Sequence, residues 1–185
     1  GPDGLGDWQR TVLEASEQIF LLEPYHRQRR KRLIKAPKLY FADTGLLCFL
    51  LGFRQPADLV SHALWGAVWE NFVVSEVRKR PQATAHPPAL WFWRTAHGDE
   101  VDLLVETGPE TFVAIECKAA ERVESRATRG IVKLAAEYGP QALRAARVAC
   151  RTEQAYPVEI AGIGDARAVP VAGPSGLLEG LMGWL

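Results

Sequence analysis

The stretch from Trp91 to Lys118 holds the residues best suited to chemistry, because Asp102, Glu116 and Lys118 fall on what read as two neighbouring β-strands. Val101, Leu103 and Val105 alternate with Asp102, Leu104 and Glu106. After the turn signal Thr107-Gly108-Pro109, the apolar run Phe112 to Ile115 ends in Glu116-Cys117-Lys118. This pattern predicts a hairpin. Side chains alternate across a strand, so Glu116 and Lys118 share one face, Cys117 points to the other, and the hairpin partner brings Asp102 alongside. Two carboxylates held close together repel, and a hard divalent cation that prefers oxygen ligands relieves the repulsion. An ammonium group beside such an ion orients an attacking water or stabilises charge on a phosphate, the chemistry of metal-assisted phosphodiester hydrolysis. Solvated sheet faces also carry Asp and Glu-x-Lys patterns, so the flanking elements have to support the reading.

Upstream, Leu64 to Arg78 carries apolar residues at helical spacing with Glu70 in its first half; downstream, Ser125 to Tyr138 reads as a second helix with Ile131, Leu134 and Ala135 on one face. Gly139-Pro140 stops that helix, and Ala145 to Cys150 reads as a strand. The order helix, three strands, helix, strand, with an acid on the first helix, resembles the PD-(D/E)XK nuclease superfamily, an α/β fold with a restriction-endonuclease-like core. The phrases Lys35 to Leu47 (KAPKLYFADTGLL), Trp69 to Val73 (WENFV), Phe92 to Thr95 (FWRT), Glu100 to Asp102 (EVD) and Ile115 to Lys118 (IECK) are similar to one branch, the domain-of-unknown-function family numbered 4143.

That resemblance, over about residues 8 to 150, implies the C-terminal part of a prokaryotic AAA-type ATPase, following a nucleotide-binding domain and a winged-helix-like segment. It implies a fold more firmly than an activity. Carried over by position, Glu70 matches the helix acid, Asp102 the metal-binding aspartate, Glu116 the second carboxylate and Lys118 the lysine. Asp102, Glu116, the Cys117 backbone carbonyl and Glu70 would then hold Mg²⁺ or Mn²⁺. Val101 stands where the superfamily name has a proline, and Lys133 and Tyr138 are the nearest residues to a Gln-x-x-x-Tyr motif, at the wrong spacing.

With 185 residues and 48% hydrophobic content the chain can bury a core, and three segments are expected. These are an N-terminal helix with a wing-like basic segment (1–60), the nuclease-like core (61–150), and strands and a helix completing the core (151–185). In the first segment Trp8 to Glu17 reads as helix, Ile19 to Glu23 and Leu39 to Phe41 as strands, and Asp43 or Thr44 caps a helix closed by Gly52. Strand, basic loop, strand is the pattern of a wing, so the chain reads as a fragment or a naturally truncated member. Past Cys150, Pro157 to Ile160 and Arg167 to Val171 read as strands and Leu177 to Trp184 as a helix.

The formal net charge of +0 imposes no global field toward nucleic acid. Locally, Arg27, Arg29, Arg30, Lys31, Arg32, Lys35 and Lys38 crowd together with no acid between them, a run that pairs with phosphates or is simply solvated. Arg94 either reaches a phosphate or packs over tryptophan, His97 reads as a solvated turn residue, and the periodicities of Trp65, Trp69, Phe72, Trp91 and Trp93 place most of them in the core. The three cysteines have neither zinc nor disulfide spacing, which fits a reducing cytoplasm. No apolar stretch reaches membrane-spanning length, Gly1-Pro2-Asp3-Gly4 lacks the regions of a signal peptide, and no phosphate-binding loop is present, so any ATPase activity belongs to other sequence.

Three functions are compatible with these patterns. The first is a Mg²⁺-dependent nuclease acting on nucleic acid, DNA foremost. The second is an inactive nuclease fold that binds nucleic acid for an ATPase. The third is a protein-interaction module of that ATPase, with acids and lysine kept as a structural ion pair.

Overall fold

The computed structural model describes residues 6–26, 36–80 and 87–184. In chain order, helix α1 (Asp7–Ala15), strands β1 (Ile19–Pro24) and β2 (Lys38–Phe41), and helices α2 (Thr44–Leu50), α3 (Pro56–Val60) and α4 (Trp65–Lys79) come first. Strands β3 (Leu90–Arg94), β4 (Glu100–Gly108) and β5 (Thr111–Cys117), helix α5 (Arg129–Tyr138) and strand β6 (Leu143–Ala149) follow. Strands β7 (Tyr156–Pro157) and β8 (Ala166–Val169) and helix α6 (Leu177–Met182) complete the series. The eight strands form one mixed sheet in the order β2-β1-β3-β4-β5-β6-β8-β7.

The expected hairpin is present as β4 and β5, with Leu103 opposite Ile115 and Leu104 opposite Ala114. It sits mid-sheet and is covered on both faces, so its burial is nearly continuous instead of alternating with solvent. On one face Leu103, Val105, Val113, Ile115 and Cys117 pack with Val73, Val74 and Val77 of α4 and with Leu177 and Leu181 of α6. On the other, Leu104, Phe112 and Ala114 pack with Ile131 and Leu134 of α5. Each fully buried Val, Leu or Ile contributes about 1.5–3 kcal/mol relative to exposure. Basic Arg78 and Lys79 end α4, where the helix dipole favours positive charge. The parallel crossover from β5 to β6 runs through α5.

Several expectations are refined. The second helix opens as a 3₁₀ turn at Ser125–Thr128 and becomes α-helical at Arg129. The tail both extends the sheet, through parallel pairing of β8 with β6, and caps the core through Leu177 and Leu181. The aromatic residues are less buried than their periodicities imply: Trp93 is buried, but Trp65, Trp69, Phe72 and Trp91 are half-buried. The three half-buried tryptophans keep their indole N–H groups satisfied, Trp65 donating to the Ala119 carbonyl, Trp69 to the Ala149 carbonyl and Trp91 to Glu106. An indole with an apolar body and a polar edge is at home at such a boundary.

The strand-loop-strand reading of the N-terminal segment holds as far as its strands go, with Ile19 opposite Phe41 in antiparallel β1 and β2. β1 then pairs in parallel with β3 through Glu23–Trp91 and Pro24–Phe92, so this pair forms one end of the main sheet. Arg27, Arg29, Arg30, Lys31 and Arg32 lie outside the described residues. Among the described residues no helix is long and apolar enough to cross a membrane.

Candidate functional site

The site begins where the β4–β5 ladder ends. The last paired residues are Leu103 and Ile115; one step further, the Cys117 N–H donates to the Asp102 carboxylate at 2.8 Å instead of to a strand carbonyl. Val101 and Leu103 pack on opposite sides of the sheet, so strict alternation breaks at Asp102. This kink lets Asp102 face Glu116 across the strand ends, close enough for direct interaction of the two carboxyl groups. Lys118 Nζ lies 3.3 Å from Glu116. The Cys117 side chain turns to the α4 side, into the apolar core.

A second half of the site is built by β2 and α4. Glu70 Oε1 accepts from Lys38 Nζ at 2.8 Å and from the Tyr40 hydroxyl at 2.6 Å. Lys38 also contacts Glu100 and lies 3.9 Å from Asp102 Oδ1. Oxygens of Glu70, Glu100 and Asp102 all lie within 4.8 Å of one another, and the Lys38 ammonium is seated among them. Asn71 fixes this arrangement: its Oδ1 accepts from the Phe41 N–H, and its Nδ2 donates to the Phe41 carbonyl and to Thr44 Oγ1. Adjacent residues of α4 thus hold β2 by its side chains and by its backbone. Asp43 caps α2 through the Leu46 N–H, fixing the exit of β2.

Glu100, Asp102, Glu116 and Lys118 open onto a cleft of about 330 Å³, bordered by His97, Arg126, Arg129 and Gly130 as well, whereas Lys38, Tyr40 and Glu70 line a neighbouring cavity of about 400 Å³. Gly130 lets α5 approach: a Cβ there would lie 1.7 Å from the Glu100 carbonyl oxygen and 2.8 Å from Glu116 Oε1. Arg129 pairs with Asp99 at 2.6 Å, and Arg94 pairs with Glu100. Burial, then the neighbouring Asp102, pushes the Glu116 carboxyl up to about 9, outweighing Lys118. Burial and Glu70 likewise raise Asp102. Burial alone would lower Lys38, but Glu70, Glu100 and Asp102 outweigh it and hold the lysine above its ordinary value. Without a metal the cleft therefore retains protons that isolated carboxylates would release.

The family described as "Domain of unknown function (DUF4143)" matches residues 65–169, more than half of the chain. The chain belongs to that family. A second family, "Domain of unknown function (DUF8612)", matches residues 10–57. Uncharacterized proteins of Mycobacterium tuberculosis and Mycobacterium bovis are each similar, at 39% identity over 85 residues, covering 46% of the chain. The match spans 18% of the length of those relatives. No solved structure matches significantly.

For this DUF4143 chain, the geometry brings together Asp102, Glu116 and Lys118, with Glu70 arriving from the helix beside Asp102. Arg94 is exposed and engaged with Glu100, and its guanidinium lies 6.0 Å from the Phe92 ring instead of over a tryptophan. His97 is exposed in the Thr95–Asp99 turn at the cleft rim. Sequence reasoning missed Glu100 as a cleft residue and Lys38 and Tyr40 as partners of Glu70 behind it. Lys38 was counted with the basic run, yet its side chain is only 18% exposed and turned into the acids. The signal was available in the spacing: Lys38 and Tyr40 alternate on one strand face as Glu116 and Lys118 do, and Glu100 stands two residues before Asp102.

Proposed function

We propose that this domain is a divalent-metal-dependent phosphodiesterase of the PD-(D/E)XK type, acting on nucleic acid, DNA foremost, within a cytoplasmic protein that also carries an AAA-type ATPase domain. The observation that carries the reading is the meeting of Asp102 and Glu116 at the strand ends with Lys118 at 3.3 Å from Glu116. The donor set fits Mg²⁺ or Mn²⁺: it is all oxygen, it is crowded with acid, and the protein already places one cation, the Lys38 ammonium, among these carboxylates. Asp102, Glu116 and the Cys117 carbonyl would hold the ion, while Glu70, bonded to Lys38 and Tyr40, sits behind Asp102. Such an ion supplies charge stabilisation at a phosphate oxygen. Lys118, 39% exposed at the cleft, is free to donate to a water or to a phosphate oxygen, while Glu116 orients it. Arg126 and Arg129 on the rim, paired with Glu124 and Asp99, stand where a polyanionic ligand would compete for them.

A second reading is favoured by Lys38 itself. The Lys38–Glu70–Glu100–Asp102 network neutralises much of the acid charge, as a structural ion network in an inactive nucleic-acid-binding or protein-interaction module would. Incubating the purified chain with single- and double-stranded DNA and RNA, in Mg²⁺, Mn²⁺ or chelator, separates the two. Cleavage that needs the metal and disappears in Asp102→Ala is the expected result. Cleavage that survives this substitution belongs to a contaminant, and absence of metal-dependent cleavage on every substrate favours the second reading.

A further inference from the structure

We infer that Lys38 is a built-in second cation of this acid cluster, so that the domain takes one divalent ion, on the Asp102–Glu116 side, and an ammonium group stands where a second ion would otherwise sit. The inference rests on the proposed metal-dependent reading and divides the acids into two halves that share Asp102. In the half formed by Glu70, Glu100 and Asp102, the three ligand oxygens are spaced for a single cation, and the Lys38 ammonium already bonds Glu70 at 2.8 Å and touches Glu100. Further partners crowd two of these acids. Tyr40 donates to the same Glu70 oxygen, and Arg94 pairs with the other oxygen of Glu100. In the half formed by Asp102 and Glu116, Lys118 makes a longer contact with Glu116, at 3.3 Å from a more exposed side chain, and Lys38 reaches Asp102 at 3.9 Å. This is the half with room for an ion.

Position and fastening argue that Lys38 is a fixed fitting and not a swinging counter-ion. Its strand is tied to α4 by Asn71 through both the N–H and the carbonyl of Phe41, and its ammonium is held by Glu70 and Glu100 in a side chain only 18% exposed. Enzymes that use two divalent ions hold them about 3.5–4 Å apart with a carboxylate shared between them. Asp102 stands between the two halves, with Oδ1 3.9 Å from the ammonium and its carboxyl group in direct contact with Glu116. A single positive charge in place of a double one leaves Glu70 and Glu100 neutralised without a second hydrated ion in the cleft.

Counting Mn²⁺ ions bound per chain, by the electron paramagnetic resonance of free Mn²⁺ and by calorimetry, tests the inference. The whole chain is expected to bind one ion, Lys38→Met two, and Lys38→Arg one; adding Glu100→Gln to Lys38→Met is expected to return the count to one. If Lys38→Met binds Mn²⁺ with the stoichiometry and affinity of the unaltered chain, or if the unaltered chain already binds two ions, the assignment of Lys38 is overturned while the metal-dependent reading stands. If the unaltered chain binds none but Lys38→Met gains a site that Glu100→Gln removes, the metal-dependent reading fails and the place of Lys38 is upheld. Should Lys38→Met lose its fold, recovery of its near-ultraviolet circular dichroism on adding Mn²⁺ supports the inference, and failure to recover overturns it.

Discussion

Glu116 and Lys118 share a contact but not an environment: the glutamate side chain is 4% exposed and the lysine 39%. A pair with one partner that wet contributes little to stability. With Glu116 pushed up to about 9, loss of the lysine at neutral pH strands no full charge, because the acid keeps its proton. Lys118→Met is therefore expected to melt within a few degrees of the unaltered chain while cleavage falls by about 10²–10³-fold, the usual cost of removing one donor to developing charge. A large drop in melting temperature, relieved by Mg²⁺, would mark the lysine as structural. The same glutamate sets a pH dependence. Its folded-state value lies above the ordinary carboxylate value, so between about 5 and 9 the folded chain holds more protons than the unfolded one, and stability falls as pH rises through that window. Asp102, also raised, acts in the same direction. Lys38 and Lys118 are both raised from 10.5, so their contributions disappear only at more alkaline pH. Urea unfolding in chelator at pH 5.5 and 8.5 should show the loss, Mg²⁺ should lessen it, and Glu116→Gln should flatten it.

At the scale of elements, the approach of α5 to β4 depends on one missing side chain. Gly130→Ala places a methyl group 1.7 Å from the Glu100 carbonyl oxygen, and backbone cannot swing aside as a side chain can. The expected cost is about 1–3 kcal/mol from forced separation of helix and strand, read by urea unfolding, with a wider acid site and weaker Mn²⁺ binding. Such a contact was not legible in the sequence, where Gly130 is one residue inside a helical pattern. The hairpin of β4 and β5, helix α4 and the strand after α5 were legible, because apolar runs bounded by turn signals mark where each element lies even where burial does not alternate. The kink at Asp102 was not, since it arises where the ladder ends and a carboxylate replaces a carbonyl as acceptor for Cys117. Lys38 was hidden by its neighbours: a basic run suggests solvent, and only tertiary pairing of β2 with α4 reveals that this lysine is turned inward. The half-burial of Trp65, Trp69 and Trp91 escaped periodicity too, because amphipathic indoles satisfy helix and strand spacing equally well at a boundary.

The whole molecule depends on its last segment more than the thin sequence signals there imply. β8 pairs with β6 along four residues, and Leu177 and Leu181 are inserted beside Val73, Val74 and Val77. A chain ending at Cys150 would expose the edge of β6 and the apolar face of α4 together, so it is expected to be insoluble or to lack a cooperative melting transition by circular dichroism. A cooperative transition near that of the whole chain would show that the tail is an appendage. The net charge of +0 implies that any attraction to nucleic acid is local to the cleft rim and the basic segment, and that it weakens with salt according to those few contacts.

The seating of Lys38 also bears on heredity. A lysine whose replacement leaves Glu70 without its cation, and acids that share one shielded lysine, are poorly placed to change one at a time. Positions 38, 70 and 100 should therefore drift as a set, with a lone change selected against and a compensated one tolerated: Lys38→Met with Glu70→Gln should be less destabilised than the sum of the two single variants. Yet Lys38 lies in the segment matching one family, residues 10–57, and Glu70 and Glu100 in the segment matching another, residues 65–169. A recombination event between those segments would part the partners of one ion network, so a chimaera joined between residues 57 and 65 is expected to melt lower than either parent.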